Sequence, residues 1–161
     1  MPPPTQYSGY REEPDPALVF WVRLLLVGIL VGLSAVFIVA IYLNPYGTDG
    51  QAHRLATHQQ LGLPPCTFID VTGVPCPACG MTTSFALFVR GDLVNSMRAN
   101  WVGTLLAGFC ALVVPWSIGS LIHGRPLLVR SLEKVFLGVI ITLLVLMSLR
   151  WGLVLLWGWR S

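Results

Sequence analysis

The stretch TGVPCPACGMT, residues 72–82, decides how the rest of the chain is organised. It places two cysteines, two prolines and two glycines between long apolar runs, and a third cysteine, Cys66, comes shortly before it. Prolines and glycines at this density interrupt regular structure. We therefore predict a cysteine loop over residues 64–80, with the remaining chain acting as membrane anchor or as connection to this loop.

The composition indicates that lipid is the main solvent of this chain. Hydrophobic residues make up 55% of its 161 residues and charged residues only 11%, less than half the charged share of ordinary soluble domains. The net charge of +3 comes from ten basic and seven acidic residues that are dispersed along the chain. That charge pattern excludes a nucleic-acid partner, since such proteins cluster basic residues on one face. The expected partner is the lipid bilayer.

Three long apolar runs predict an all-α membrane protein with spans at about residues 22–43, 99–122 and 135–157. The first contains twenty uncharged residues, 24–43, which as a helix cover the ~30 Å of a hydrocarbon core. Residues 1–17 hold five prolines and an acidic run without periodicity, so we expect a disordered tail rather than a secretory signal. Residues 18–161 then form a single membrane domain.

Small residues recur at intervals of four in the first two spans. Such faces let helices approach closely in lipid, and we expect them to pack against helices of this chain. The predicted packing residues are Gly28, Gly32, Gly103, Ala107 and Ala111. Pro115 should kink the second span, and Cys110, inside that span, should behave as a small hydrophobe.

A shorter amphipathic helix is predicted after the cysteine loop, over residues 81–90. Met81, Phe85, Phe88 and Val89 share one helical face. The helix is too short to span, so we expect it to be interfacial or re-entrant. Asp92 offers an N-cap for the helix that follows.

Only a few charged residues indicate which side of the membrane each end of the protein faces. Three basic residues in the short connection 123–134, namely Arg125, Arg130 and Lys134, favour placing it in the cytoplasm together with the N-terminus. The cysteine loop then lies outside. Arg150 falls fifteen residues into the third run, roughly 22 Å along a helix. It either snorkels to the far interface or contacts the cysteine loop on the same side.

The first of three interpretations of the cysteines is a metal site. A Cys-Pro-x-Cys-Gly turn can present two thiolates to one zinc ion, and a closed zinc site takes four ligands. Cys66, Cys76 and Cys79 would supply three of them, and His58 or His53 the fourth. Zinc is the cofactor that this set would hold.

The second and third interpretations need no metal. Cys76 and Cys79 could form a redox pair, with Cys76 as nucleophile and Cys79 as resolving thiol, because the helix that follows would stabilise a thiolate. No βαβ pattern surrounds the pair, so a thioredoxin-like fold is excluded. Alternatively, a disulfide between Cys66 and Cys76 or Cys79, or reduced thiols alone, would pin the loop at the membrane surface.

No catalytic constellation accompanies the cysteines, so we do not expect an enzyme. The sequence predicts a small membrane module whose loop is a structural, metal-binding or thiol site, working with another membrane protein subunit. The alternative is a membrane thiol-disulfide oxidoreductase that uses Cys76 and Cys79.

One family shares this arrangement of residues. The segment from Cys66 through Thr72–Thr82 to Arg90-Gly91-Asp92 and Asn100 resembles a bacterial membrane-protein family, domain of unknown function 2752. The family pattern is a cysteine, then T-G-x-P-C-P-x-C-G-x-T-R, then a G-D pair and an asparagine before an apolar span. This chain departs from the pattern at Thr83, which stands at the position of the arginine. The resemblance implies a small integral membrane protein of the bacterial cytoplasmic membrane, and it implies no activity.

Overall fold

The fold is all-α in the computed structural model, which describes residues 16–123 and 132–157. The predicted fold class is confirmed. Within the described residues, the elements in chain order are α1 (Pro16–Tyr42), a 3₁₀ helix (Thr57–Leu61), α2 (Thr67–Thr72), α3 (Met81–Phe88), α4 (Leu93–His123) and α5 (Leu132–Trp157).

Three of these helices are long and apolar enough to cross a membrane: Phe20–Tyr42 in α1, Leu93–His123 as α4, and Lys134–Leu156 in α5. Large apolar side chains point outward along all three, among them Val31, Leu112 and Leu144. Contiguous apolar surface on this scale suits contact with lipid. These three helices therefore indicate an integral membrane protein. α1 begins six residues before the predicted start of the first span, and most of the predicted tail lies outside the described residues.

The break in α4 lies at Asn100, where the backbone angles are φ −159° and ψ 101°. Pro115 lies inside α4 with helical backbone angles, and a kink of the helix axis there stays a prediction. The Asn100 side chain explains the break. Its Oδ1 accepts a hydrogen bond from the N–H of Gly103 at 3.1 Å, so Asn100 caps the membrane-spanning part of the helix.

The predicted apolar face of α3 forms the core where α3 meets α1 and α4. Phe85 packs with Ala40 and Ala107, and the other face residues, Met81, Phe88 and Val89, border this cluster. The polar residues of α3 are also buried, which the amphipathic pattern did not predict. Burial is tolerated because the hydroxyls have partners: Thr83 pairs with Thr57 at 2.7 Å, and Ser84 donates to the carbonyl of Met81.

The two small-residue faces differ in what they contact. A Cβ on Gly103 would lie 2.3 Å from Ser84 Oγ, and Ala107 is fully buried, so this face of α4 packs closely against α3. Ala111, one turn further, is half-buried. Nothing among the described residues lies within 4 Å of a Cβ built on Gly28 or Gly32. Packing of the α1 face against this chain's own helices was therefore a wrong expectation, because the neighbouring helices contact α1 elsewhere.

The predicted cysteine loop contains a helix. α2 occupies Thr67–Thr72 and ends at Gly73, whose positive φ of 70° lets its N–H bond to Ile69 O at 2.8 Å. Describing residues 64–80 as loop throughout was thus wrong. The connection before it is helical only as the 3₁₀ turn Thr57–Leu61.

Candidate metal centre

Three thiols converge beside the start of α3. The sulfur atoms of Cys76 and Cys79 lie 3.0 Å apart, and those of Cys79 and Cys66 lie 3.4 Å apart. All three sulfur atoms fall within 4.8 Å of one another. Cys79 is buried, whereas Cys66 and Cys76 are half-buried and form the accessible edge of the group. We call these three residues the cysteine site.

Local structure brings each thiol to this point. Cys66 is the N-cap of α2, so its side chain projects from the start of that helix. Cys76 and Cys79 belong to a tight turn in which Cys79 N–H donates to Cys76 O at 3.0 Å. Pro75 and Pro77 fix the backbone of this turn. Because only two residues separate Cys76 from Cys79 within one turn, their sulfurs lie on the same side of that turn.

The turn ends at Gly80, where only glycine fits. Its φ of +81° is left-handed, and a Cβ there would lie 2.6 Å from Ala99 O and 2.9 Å from Arg54 O. The loop is thus pressed against the backbone of α4 and of the connection before the 3₁₀ helix. This close approach holds the cysteine turn at a fixed distance from α4.

The sulfur positions fit one thiophilic ion. Thiolates bind zinc at about 2.3 Å. A triangle with sides of 3.0 and 3.4 Å and a third side of at most 4.8 Å has a circumscribed circle of at most about 2.4 Å radius. One ion can therefore contact all three sulfurs. Tetrahedral coordination with such bonds holds sulfurs about 3.8 Å apart, so the Cys76 and Cys79 sulfurs must move apart when the ion binds.

The thiols differ in their tendency to ionise. The backbone N–H of Ile69, in the first turn of α2, bonds to the sulfur of Cys66 and lowers its pKa. Burial, followed by hydrogen bonds to the other two thiols, raises the pKa of Cys79 well above its usual range. The Cys66 thiol therefore loses its proton more readily than the Cys79 thiol.

Two polar side chains from other helices hold the turn in place. Asn100 Nδ2 donates to Cys79 O at 3.1 Å. Arg150 donates to Pro77 O at 3.1 Å and Ala99 O at 3.2 Å, with a longer bond of 3.5 Å to Cys79 O. Of the two placements predicted for Arg150, the structure has the contact with the cysteine loop. The next residue, Trp151, meets Phe68 of α2 edge-on, with ring centres 6.0 Å apart.

The two histidines predicted as fourth ligands are not brought into this group. His58 lies in the 3₁₀ helix, half-buried, and His53 is exposed with its Nε2 facing Gly47. Neither places a nitrogen within 4.8 Å of all three sulfurs. Cys110 is buried inside α4, as expected of a small hydrophobe. All four cysteines are free thiols, so no disulfide closes the loop.

The role of Asn100 in the site was missed by sequence reasoning, although the residue belongs to the family pattern. It is 1% exposed and uses both ends of its amide, one on Cys79 and the other on the N-terminus of the spanning helix. The available signal was its place at the junction between a polar segment and an apolar run. An amide at such a junction commonly caps a helix, but the contact with Cys79 depends on the tertiary fold.

Comparison with known proteins confirms the resemblance over this part of the chain. Residues 66–114 match the family described as "Protein of unknown function (DUF2752)". The match contains the whole cysteine site and Asn100, and it ends before α5. No curated protein and no solved structure was found to match the chain.

Proposed function

We propose that this protein is a membrane-embedded metal-binding module whose cysteine site holds one thiophilic divalent ion, with zinc as the physiological candidate. The observation that carries the proposal is the convergence of three reduced sulfurs, from two separate segments, around a point within bonding distance of all three. Thiolate ligands select zinc and other soft ions over magnesium or calcium.

The number of protein ligands determines which role a bound zinc ion can have. Structural zinc sites are closed by four protein ligands, whereas three protein ligands leave a position for an exogenous ligand. His58 is the fourth ligand predicted from the sequence, and it lies outside the group formed by the three sulfurs. A water molecule or a ligand from a partner subunit could fill the fourth position instead. We propose the second of these, so that the site works together with another membrane protein.

A thiol–disulfide oxidoreductase is the second candidate, favoured by the 3.0 Å between the sulfurs of Cys76 and Cys79. In that reaction the two thiols close to a disulfide and give two electrons and two protons to a disulfide of a partner protein. The partner disulfide is thereby reduced to two thiols. The third thiol, Cys66, at 3.4 Å from Cys79, has no part in such a two-thiol cycle and favours the metal site.

The location of the site follows from the resemblance and the charge pattern. We place the protein in the bacterial cytoplasmic membrane, with the N-terminus in the cytoplasm and the cysteine site on the opposite side. The basic connection between the second and third spans supports this orientation. Labelling of Cys76 by a membrane-impermeant maleimide in intact cells, after removal of bound metal with a membrane-impermeant chelator, tests it, with labelling expected only if the site faces outward.

Metal analysis with thiol counting on the purified protein separates the two functions. The metal site predicts about one zinc per chain and thiols that react only after chelation. A Cys76→Ser variant should lose the metal, and the matched Cys110→Ser variant should retain it, since Cys110 lies in α4 away from the site. Metal-free protein with a reversible Cys76–Cys79 disulfide would instead establish the oxidoreductase.

The His58→Ala variant decides the fourth ligand. If a ligand from outside the chain fills that position, the variant should bind zinc as the unmodified protein does. A tenfold or greater loss of affinity would show that His58 is needed for binding and favour it as the fourth ligand.

A further inference from the structure

Arg150 is a buried cation that faces only neutral groups. It is 5% exposed, lies seven residues before the end of the apolar helix α5, and its guanidinium donates to three backbone carbonyls. No carboxylate of the described residues forms an ion pair with it. Charged side chains inside membrane-spanning helices are costly and usually serve a function. They pair with backbone carbonyls or with an opposite charge, and a nearby anion would stabilise Arg150 further.

The nearest groups that can become anionic are thiols of the cysteine site. The guanidinium donates to the carbonyl of Cys79 itself and to that of Pro77, the residue after Cys76. Its hydrogen bonds to Pro77 O and Cys79 O bracket the turn that carries both sulfurs. The cation and the sulfurs are therefore parts of one arrangement, although they are more than seventy residues apart in sequence.

We propose that Arg150 is the counter-ion and positioning residue of the cysteine site, and that it makes the site neutral when a divalent ion is bound to three thiolates. This inference rests on the proposed metal-binding function and specifies the ligand class. Loading exchanges three thiol protons, released to solvent, for one divalent cation. The three thiolates and the ion then carry a net charge of −1, which the guanidinium cancels. A monovalent ion on the same thiolates would leave one negative charge uncompensated.

The same contacts give Arg150 its positioning role. Its bond to Ala99 O links α5 to α4, and its bond to Pro77 O links α5 to the cysteine turn. Trp151 adds an apolar contact between α5 and Phe68 of α2. The third span is thus attached to the segments that carry all three cysteines, and the geometry of the site depends on the docking of α5.

Cadmium titration of the metal-free protein in detergent micelles tests the counter-ion role, using the thiolate-to-metal charge-transfer absorption as readout. Arg150→Lys keeps the charge and loses the forked hydrogen bonds, whereas Arg150→Gln keeps hydrogen-bonding capacity and loses the charge. We expect the Gln variant to bind at least tenfold more weakly and the Lys variant to recover most of that loss. Arg98→Gln removes an exposed positive charge from the start of α4 and should leave the affinity within twofold.

Equal losses of cadmium affinity in the Lys and Gln variants would overturn the counter-ion role. An unchanged cadmium affinity in the Gln variant would also overturn it. Helical content by circular dichroism, measured on each metal-free variant, ensures that only folded proteins are compared. Lysine lacks the forked hydrogen bonds of the guanidinium. Recovery of cadmium affinity in the Lys variant would therefore show that the charge matters, and not only the hydrogen bonds that hold the turn.

The unmodified protein keeps this inference separate from the proposed function. Cadmium binding by the unmodified protein, with equal affinity in Arg150→Gln, overturns the counter-ion role and leaves the metal-binding function standing. Absence of cadmium binding by the unmodified protein overturns the metal-binding function, and the divalent selectivity and counter-ion role with it.

Discussion

At the scale of single residues, Gly80 fixes where the cysteine turn lies. Its φ of +81° is costly for any other residue, and the space a Cβ would need is taken by backbone oxygens of Ala99 and Arg54. Backbone atoms cannot swing aside as a flexible side chain does. A substitution here must therefore displace the turn, the start of α3 or α4.

Gly80→Ala should lower the free energy of unfolding by more than about 2–3 kcal/mol, because overlap adds to the backbone strain. Gly91→Ala is the matched control: its φ is +77°, but nothing lies within 4 Å of the added methyl group. The Gly91→Ala variant should lower the free energy of unfolding only by the backbone strain, about 1–2 kcal/mol. Thermal unfolding in detergent, followed by circular dichroism, measures both, and equal costs would contradict the close approach at Gly80.

The hydroxyl pair Thr57–Thr83 is the other test at this scale. Both residues are buried, at 3% and 1% exposure, and their oxygens lie 2.7 Å apart. Thr83→Val leaves the Thr57 hydroxyl buried without a partner, which should cost about 1–3 kcal/mol. The double variant Thr57→Val, Thr83→Val removes both polar groups and should cost less than the sum of the single variants. Additive costs in the same unfolding assay would show that the two hydroxyls do not pair.

At the scale of elements, the entry into α4 is set by Asp92. Its carboxylate accepts bonds from Asn95 N–H at 3.2 Å, Asn95 Nδ2 at 2.8 Å and the Tyr46 hydroxyl at 3.2 Å. The side-chain bond from Asn95 is the largest cause that lowers the pKa of Asp92 below its ordinary value of 3.8. The ionised carboxylate thus connects the start of α4 to the segment after α1.

Acid should weaken this connection. Because the folded pKa is depressed, the contribution of Asp92 to stability is fully present above the unfolded value, about pH 4, and is lost as the pH falls through the folded value. Asp92→Asn should therefore be less stable than the unmodified protein at neutral pH and should lose less stability on acidification. Tyr46→Phe, which removes one of the three bonds, should fall between them. Unfolding midpoints at pH values from about 7 to about 3 measure the difference, and parallel curves for all three proteins would contradict it.

The helices differ in how far local sequence predicts them. α1, α4 and α5 follow from apolar length alone, and α3 follows from the spacing of Met81, Phe85 and Phe88, because these signals reside within each segment. α2 was missed because the six residues TFIDVT are too short to show a period. The main sequence signal for α2 was the pair Thr72-Gly73. A glycine at this position is typical of a helix C-terminus, but it is equally typical of a turn.

At the scale of the whole molecule, the cysteine site unites segments that sequence reasoning could join only in part. Cys66, Cys76 and Cys79 lie within fourteen residues, so a common site was predictable. The attachment of Arg150 and Asn100 was not, since it depends on how α4 and α5 dock. The small-residue pattern was informative for Gly103 and misleading for Gly28, because spacing alone does not say which helix, if any, lies opposite.

An ion bound only by the folded protein should stabilise the whole molecule. At a free zinc concentration one hundred times the dissociation constant, the gain is about 2.7 kcal/mol. Zinc should therefore raise the unfolding temperature of the unmodified protein and of Cys110→Ser, and it should have no effect on Cys76→Ser. Equal shifts in all three proteins would mean that zinc binds elsewhere.

The most direct test of the central claim is the number of sulfur atoms around the bound ion. X-ray absorption at the zinc edge, on protein loaded with one equivalent of zinc, should give three sulfur neighbours at about 2.3 Å and one lighter atom. In Cys66→Ser, which keeps the Cys76–Cys79 turn, the count should fall to two. A first shell made of nitrogen and oxygen at about 2.0–2.1 Å, unchanged by that substitution, would contradict a metal centre built on these three cysteines.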